Sequence, residues 1–176
     1  MIRILKQIFR TGIVTEPLPP IIDPEIEKIS VQLEEAIKRR FRGSLAIREV
    51  DAGSCNACEL EIHAINNAIY NCEKYGIHFT ASPRFADMLL VTGPVTHNME
   101  IALRRTYAAT PPPKLVVAVG DCACNGGIFG ESYASLGGIE KVIPVDARIP
   151  GCPPTPLQLM QGLTRLLEGA EGQKPR

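Results

Sequence analysis

A chain of 176 residues with 45% apolar content can close one hydrophobic core of its own, which excludes an intrinsically disordered chain. Basic and acidic residues balance at 19 each, so no net field draws the protein toward nucleic acid, and no nucleic-acid partner is expected. Aromatic residues make up only 5% and tryptophan is absent, which argues against a base-stacking surface or an aromatic-lined carbohydrate groove.

In chain order, the opening MIRILKQIFR places Ile2, Leu5 and Phe9 on one helical face beside Ile4 and Ile8, with Arg3, Lys6 and Arg10 mostly elsewhere. Such a helix suits a membrane surface, and equally a place packed on its own domain or on a partner subunit. The prolines of TGIVTEPLPPIIDP then forbid a continuous helix and predict an extended arm. Residues 25–41 carry Ile26, Ile29, Leu33, Ile37 and Phe41 at helical spacing. Beyond Gly43 short apolar runs alternate with helical stretches. LAIREV (45–50) reads as a strand, 59–74 as a helix, IHFT (77–80) as a short strand and DMLLVT (87–92) as a strand. A helix from about 97 to 109 precedes KLVVAV (114–119), the clearest buried strand, and KVIPV (141–145) reads as another. The stretch PTPLQLMQGLTRLLEG closes the fold as a helix with proline near its start and Gly169 near its end.

This alternation, with near-continuous apolar middle strands, predicts an α/β fold: a parallel sheet covered by helices, in a single domain with an extended N-terminal arm. The expected division is 1–42 (amphipathic helix, proline-rich arm and helix), 43–169 (the α/β domain) and 170–176 (a tail). No run of about 18 or more apolar residues predicts a spanning helix. The first residues also lack the apolar core and small-residue cleavage site of a secretory signal, so a cytoplasmic location is expected.

Six cysteines in such a chain ask for a metal rather than structural disulfides. Cys55 and Cys58 follow the first strand, Cys122 comes straight off LVVAVGD, and Cys152 follows VIPV through DARIPG. Ligands of parallel sheets sit beyond the carboxyl ends of the strands, so three loops deliver thiolates to one edge. Four soft ligands mean zinc or iron–sulfur. The last two being far apart in sequence departs from the paired spacing of structural zinc. Gly53, Gly120, Gly126, Gly127 and Gly151 allow backbone N–H groups to approach sulfur, while Pro153 and Pro154 stiffen the last loop. One loop can offer either Cys122 or Cys124, and the position directly off the strand favours Cys122. Cys72 reads as a small buried hydrophobe.

Glu59 and Glu61 lie near the start of the helix that carries Cys58, where capping alone explains a carboxylate. Glu61 is also a candidate for proton traffic past the cluster. His63 and His97 are ordinary surface or core histidines unless they face the site. DCACNGG is followed by no Gly-Lys-Ser/Thr and the first strand by no GxGxxG, so neither a nucleotide triphosphate nor a nicotinamide is expected.

GSCNACELEIHAINN (53–67), ADMLLVTGPVTHNM (86–99), VVAVGDCACNGGIFG (116–130) and IPVDARIPGCPPTP (143–156) together resemble the small subunits of energy-converting, membrane-bound [NiFe] hydrogenases. The formate hydrogenlyase type is included, and the family is similar to the B subunit of respiratory complex I. The resemblance implies a flavodoxin-like fold and one [4Fe–4S] cluster on Cys55, Cys58, Cys122 and Cys152. It further implies a [NiFe] large subunit, a ferredoxin-like polyferredoxin subunit and membrane-arm subunits as partners. The chain would then be held peripherally on the cytoplasmic side of the cell membrane, as an oxidoreductase subunit with no substrate chemistry of its own. Complex I relatives carry two adjacent cysteines at the first position, whereas CNAC has the hydrogenase spacing. Ala57 stands where that branch commonly has Gly. The loops at Ser54, Gly93-Pro94 and Cys152-Pro153 would face the large subunit. The rival expectations are a complex I-like quinone or ferredoxin oxidoreductase module without nickel, and a scaffold with a zinc or empty site.

Overall fold

The computed structural model describes residues 2–12 and 23–169; the proline-rich arm and the C-terminal tail fall largely outside them. Helix α1 (Ile2–Thr11) leads, followed by α2 (Pro24–Phe41) and β1 (Leu45–Asp51). Next come α3 (Ala57–Ala64), β2 (Ile77–Phe79), β3 (Met88–Thr92), β4 (Val95–Thr96) and α4 (His97–Ala109). The chain continues through β5 (Leu115–Val119), α5 (Gly120–Asn125), β6 (Ser135–Gly137), β7 (Ala147–Ile149) and α6 (Pro156–Gly169).

The main sheet has five strands in the order β2-β1-β3-β5-β7. Every pair is parallel, with Leu45 opposite Ile77, Ile47 opposite Met88, Leu90 opposite Val117 and Val119 opposite Ile149. Renumbered within the sheet this is 2-1-3-4-5, the flavodoxin-like order. Alternate residues of the central strands serve opposite faces, which is why β3 and β5 read as unbroken apolar runs. Met88, Leu90, Val117 and Val119 join Leu33 and Ile37 of α2 and Leu159, Met160 and Leu163 of α6. Leu89, Val91, Val116 and Ala118 face Leu103 of α4, Ala123 of α5 and the buried Ile139 and Ile143.

Helix α2 is capped at both ends. Asp23 accepts a hydrogen bond from the Glu25 backbone N–H at 2.9 Å, Pro24 opens the helix, and Arg42 closes it at φ 57°. A two-stranded antiparallel ribbon, β4 with β6, ties the loop after β3 to the segment after α5.

Two expected elements differ. The helix expected over 59–74 is shorter, ending at Ala64. Asn67 accepts from the backbone N–H groups of Ile69 and Tyr70 at 2.8 and 3.0 Å, and Asn71 adopts φ 44°, so asparagines rather than helix turns organise 65–71. The strand expected at 141–145 lies instead at Ala147–Ile149. Pro144 interrupts the earlier run, and pairing begins at Asp146, whose N–H donates to the Val116 carbonyl at 2.8 Å while its carboxylate accepts from the Val116 N–H at 2.7 Å.

Candidate metal centre

Each cysteine-bearing loop is fixed by a carboxylate at a strand end. Asp51, the last residue of β1, accepts hydrogen bonds from the Gly53 and Ser54 N–H groups, both at 2.7 Å, turning the chain toward Cys55. Ser54 Oγ accepts from Asn56 N–H at 3.1 Å, and Asn56 at φ 71° starts α3, which presents Cys58 in its first turn. After β5, Asp121 donates its N–H to the Gly151 carbonyl at 2.9 Å and accepts from the Gly151 N–H at 2.8 Å. The Cys122 and Cys152 loops are thereby locked together. Neither aspartate stood out in the sequence; the signal was an acidic residue at or just past a strand end, within two residues of a glycine.

Glycine makes the thiol positions possible. A Cβ on Gly120 (φ +84°) would lie 2.6 Å from Cys58 Sγ, and one on Gly127 (φ +55°) 2.7 Å from Cys122 Sγ. Both residues thus combine a left-handed backbone with space that only the missing side chain leaves open.

Cys55 and Cys152 are exposed, Cys58 and Cys122 half-buried. Burial pushes the Cys58 thiol up to about 12, helped by the Glu59 charge and then by Cys122, Cys55 and Cys152. Burial also raises Cys122, with Cys152 and Cys55 adding to it. The four sequence-selected cysteines therefore feel one another. Crowded thiols of this kind resist ionisation until a cation compensates the thiolate charge.

Cys124 lies outside this group. Its Sγ is 3.7 Å from the Ala118 carbonyl and it packs with the core on that face of the sheet. Burial raises its pKa to about 11, and the charges that act on it next are Asp121 and Arg148. Cys72 is fully buried in a short 3-10 turn, with its thiol 3.8 Å from Asn66 Oδ1.

The carboxylate acting on Cys58 belongs to Glu59, which is 7% exposed and has neither oxygen hydrogen-bonded. A buried charge without a partner is costly, so Glu59 is the polar anomaly of the site. Glu61 lies half-buried on α3, while His63 and His97 are exposed.

Among the described residues, no three His, Cys, Asp or Glu side chains converge as around a single metal ion. A cubane has a different requirement, one thiolate for each of four irons arrayed around a bulky core. Four thiols from three loops, with glycine beside two of them, fit that requirement in donor type and number.

Relatives define the class of protein to which this sheet and its cysteines belong. Residues 55–166 match the family described as NADH ubiquinone oxidoreductase, 20 Kd subunit. Over 151 residues the chain is 40% identical to formate hydrogenlyase subunit 7 of Escherichia coli strain K12, covering 86% of this chain and 58% of that one. It is 41% identical over 143 residues to the probable membrane-bound hydrogenase subunit mbhJ of Pyrococcus furiosus, covering 81% and 83%. A chain in the solved structure of the membrane-bound sulfane sulfur reductase, an archaeal respiratory membrane complex, superposes with a TM-score of 0.66 at 35% identity, covering 81% of this chain and 77% of that one. The chain belongs to the NADH ubiquinone oxidoreductase 20 Kd subunit family, which joins the complex I B subunits to the small subunits of [NiFe] hydrogenases. No helix among the described residues is long and apolar enough to cross a membrane.

Proposed function

We propose that this chain is the electron-transfer small subunit of a membrane-associated hydrogenase complex and holds one [4Fe–4S] cluster on Cys55, Cys58, Cys122 and Cys152. The observation that carries the reading is that Cys122, Cys55 and Cys152 all act on the Cys58 thiol at the carboxyl edge of the sheet, with Gly120 and Gly127 yielding the space beside two of the four and Cys124 packed with the core. When bound, the cluster supplies one-electron transfer. The protein's part is to hold the ligand loops through Asp51 and Asp121, to exclude bulk from the sulfurs through glycine, and to present the edge to a partner large subunit. A ferredoxin-like subunit on the donor side and membrane-arm subunits complete the proposed assembly, on the cytoplasmic side of the membrane. Domain 43–169 carries the cluster in this reading. Glu61, half-buried one helical turn beyond Cys58, is proposed to pass protons along α3.

The CNAC spacing and the two hydrogenase relatives support a nickel–iron partner. The match to the NADH ubiquinone oxidoreductase 20 Kd subunit family supports a second reading, a complex I-like quinone or ferredoxin oxidoreductase in which the same cluster serves a large subunit without nickel. The test is metal and acid-labile sulfide analysis of the complex purified anaerobically through a tag on this subunit. Iron, sulfide and nickel support the first reading; iron and sulfide without nickel support the second. Zinc in place of iron refutes both.

A further inference from the structure

Helix α1 presents a complete separation of character. At 3.6 residues per turn, Ile2, Ile4, Leu5, Ile8 and Phe9 fall within one arc of about 160°, and Arg3, Lys6, Gln7, Arg10 and Thr11 within the opposite one. All of residues 2–12 are exposed, Ile2 by 83% and Phe9 by 87%. The contrast with α2 is direct, since α2 buries Ile26, Ile29, Leu33 and Ile37 against its own domain. Isolated helices shorter than about 12 residues are marginal in water, and α1 has no packed face to hold it. Its apolar arc therefore requires a cover from outside the described chain.

The polar arc says what kind of cover. Its charges are Arg3, Lys6 and Arg10, and Ile2–Thr11 contains no acidic residue. The whole chain is neutral, so this positive charge is a local concentration and not the expression of a basic protein. A protein groove needs only the apolar arc. A negatively charged bilayer surface uses both, taking the apolar side chains below the headgroups while the basic ones reach the lipid phosphates.

We propose that α1 lies in the plane of an anionic lipid surface, with Ile4, Ile8 and Phe9 among the acyl chains and Arg3, Lys6 and Arg10 at the headgroup phosphates. This goes beyond the subunit reading, which asks for no lipid contact from this chain, and it stands or falls independently of the cluster.

The chain contains no tryptophan, so Phe9→Trp makes a single reporter. With the full chain, the expected result is a blue shift and quenching by brominated acyl chains in vesicles of phosphatidylglycerol with phosphatidylcholine, and little of either with phosphatidylcholine alone. Arg3→Gln, Lys6→Gln and Arg10→Gln should each lower partitioning about fivefold, and added salt should do the same. Ile4→Ser with Ile8→Ser should abolish quenching while leaving iron and sulfide content unchanged. The proposal is overturned if the reporter stays water-exposed on anionic vesicles, or if quenching survives the Ile4→Ser and Ile8→Ser changes. It is equally overturned if, in the purified complex, benzoylphenylalanine at position 9 cross-links to a protein subunit rather than to lipid.

Discussion

Below the sheet, Leu33 and Ile37 of α2 meet Leu159, Met160 and Leu163 of α6 over Ile47, Leu90 and Val117, all of them shut away from water. At the carboxyl edge a few residues away, Cys55 and Cys152 are exposed, Gly53, Gly120, Gly127 and Gly151 hold positive φ, and the Glu59 carboxylate is buried without a partner. The core satisfies itself. The edge leaves thiols exposed and a buried carboxylate without a hydrogen bond, on backbone held in the left-handed region. The two regions should therefore fail in different ways.

The largest difference is expected at the thiols. Replacing Cys55, Cys58, Cys122 or Cys152 singly with serine should reduce iron and sulfide per chain to background, whereas Cys124→Ser should leave both near the parent level. Metal analysis of anaerobically purified complex reads the result directly. Retention of the cluster by Cys122→Ser together with its loss in Cys124→Ser would overturn the ligand assignment.

In the core, Leu33→Ala removes a fully buried side chain between α2 and the sheet and should cost about 2–5 kcal/mol by urea unfolding. Iron per folded chain should not change. A stable Leu33→Ala protein that cannot hold iron would mean that core and edge are not separable. Gly120→Ala tests the boundary between them. The strained backbone should cost about 1–3 kcal/mol, and the added methyl meets Cys58 Sγ at 2.6 Å, so cluster content should fall by more than the loss of stability explains. Equal effects on both would make Gly120 a backbone requirement only.

How far these regions could be read from the sequence differs for physical reasons. Strands β3 and β5 were legible because residues facing both covered sides of a parallel sheet are all apolar, leaving no ambiguity of period. Strand β7 was not, since an edge strand of Ala147, Arg148 and Ile149 carries a charge at its centre and the more apolar VIPV run drew the assignment upstream. The end of α3 was missed because propensity counted Ile65 to Cys72 as helical while the asparagine side chains there bind the backbone instead. The thiol-bearing loops were legible from cysteines placed just beyond strands. Between Cys122 and Cys124 the position directly off the strand favoured Cys122; both lie on α5, and what the sequence did not carry is the packing that sets Cys124 Sγ against the Ala118 carbonyl. The partner of α1 was likewise beyond reach, as periodicity defines an apolar face without naming what covers it.

Glu49 carries the smallest and most specific prediction, because it sits on β1 between the two regions. Burial raises its carboxyl above the usual range, His63 opposes the shift and the Glu59 charge adds to it. A carboxyl raised on folding binds its proton more tightly in the native state. Between the unfolded and native pKa values the native protein therefore holds more protons, and stability falls as pH rises through that window, with the full cost present above it. Glu49→Gln removes the charge and should stabilise the chain by about 0.5 kcal/mol at neutral pH. The advantage should shrink as pH falls from the native value toward the unfolded one and vanish below it, where the parent side chain is neutral in both states. Urea midpoints of parent and variant at neutral and at acid pH measure it. A variant less stable at neutral pH would mean that the attraction of His63 outweighs burial, and that the negative charge of the edge is already compensated within this chain rather than left for a partner to meet.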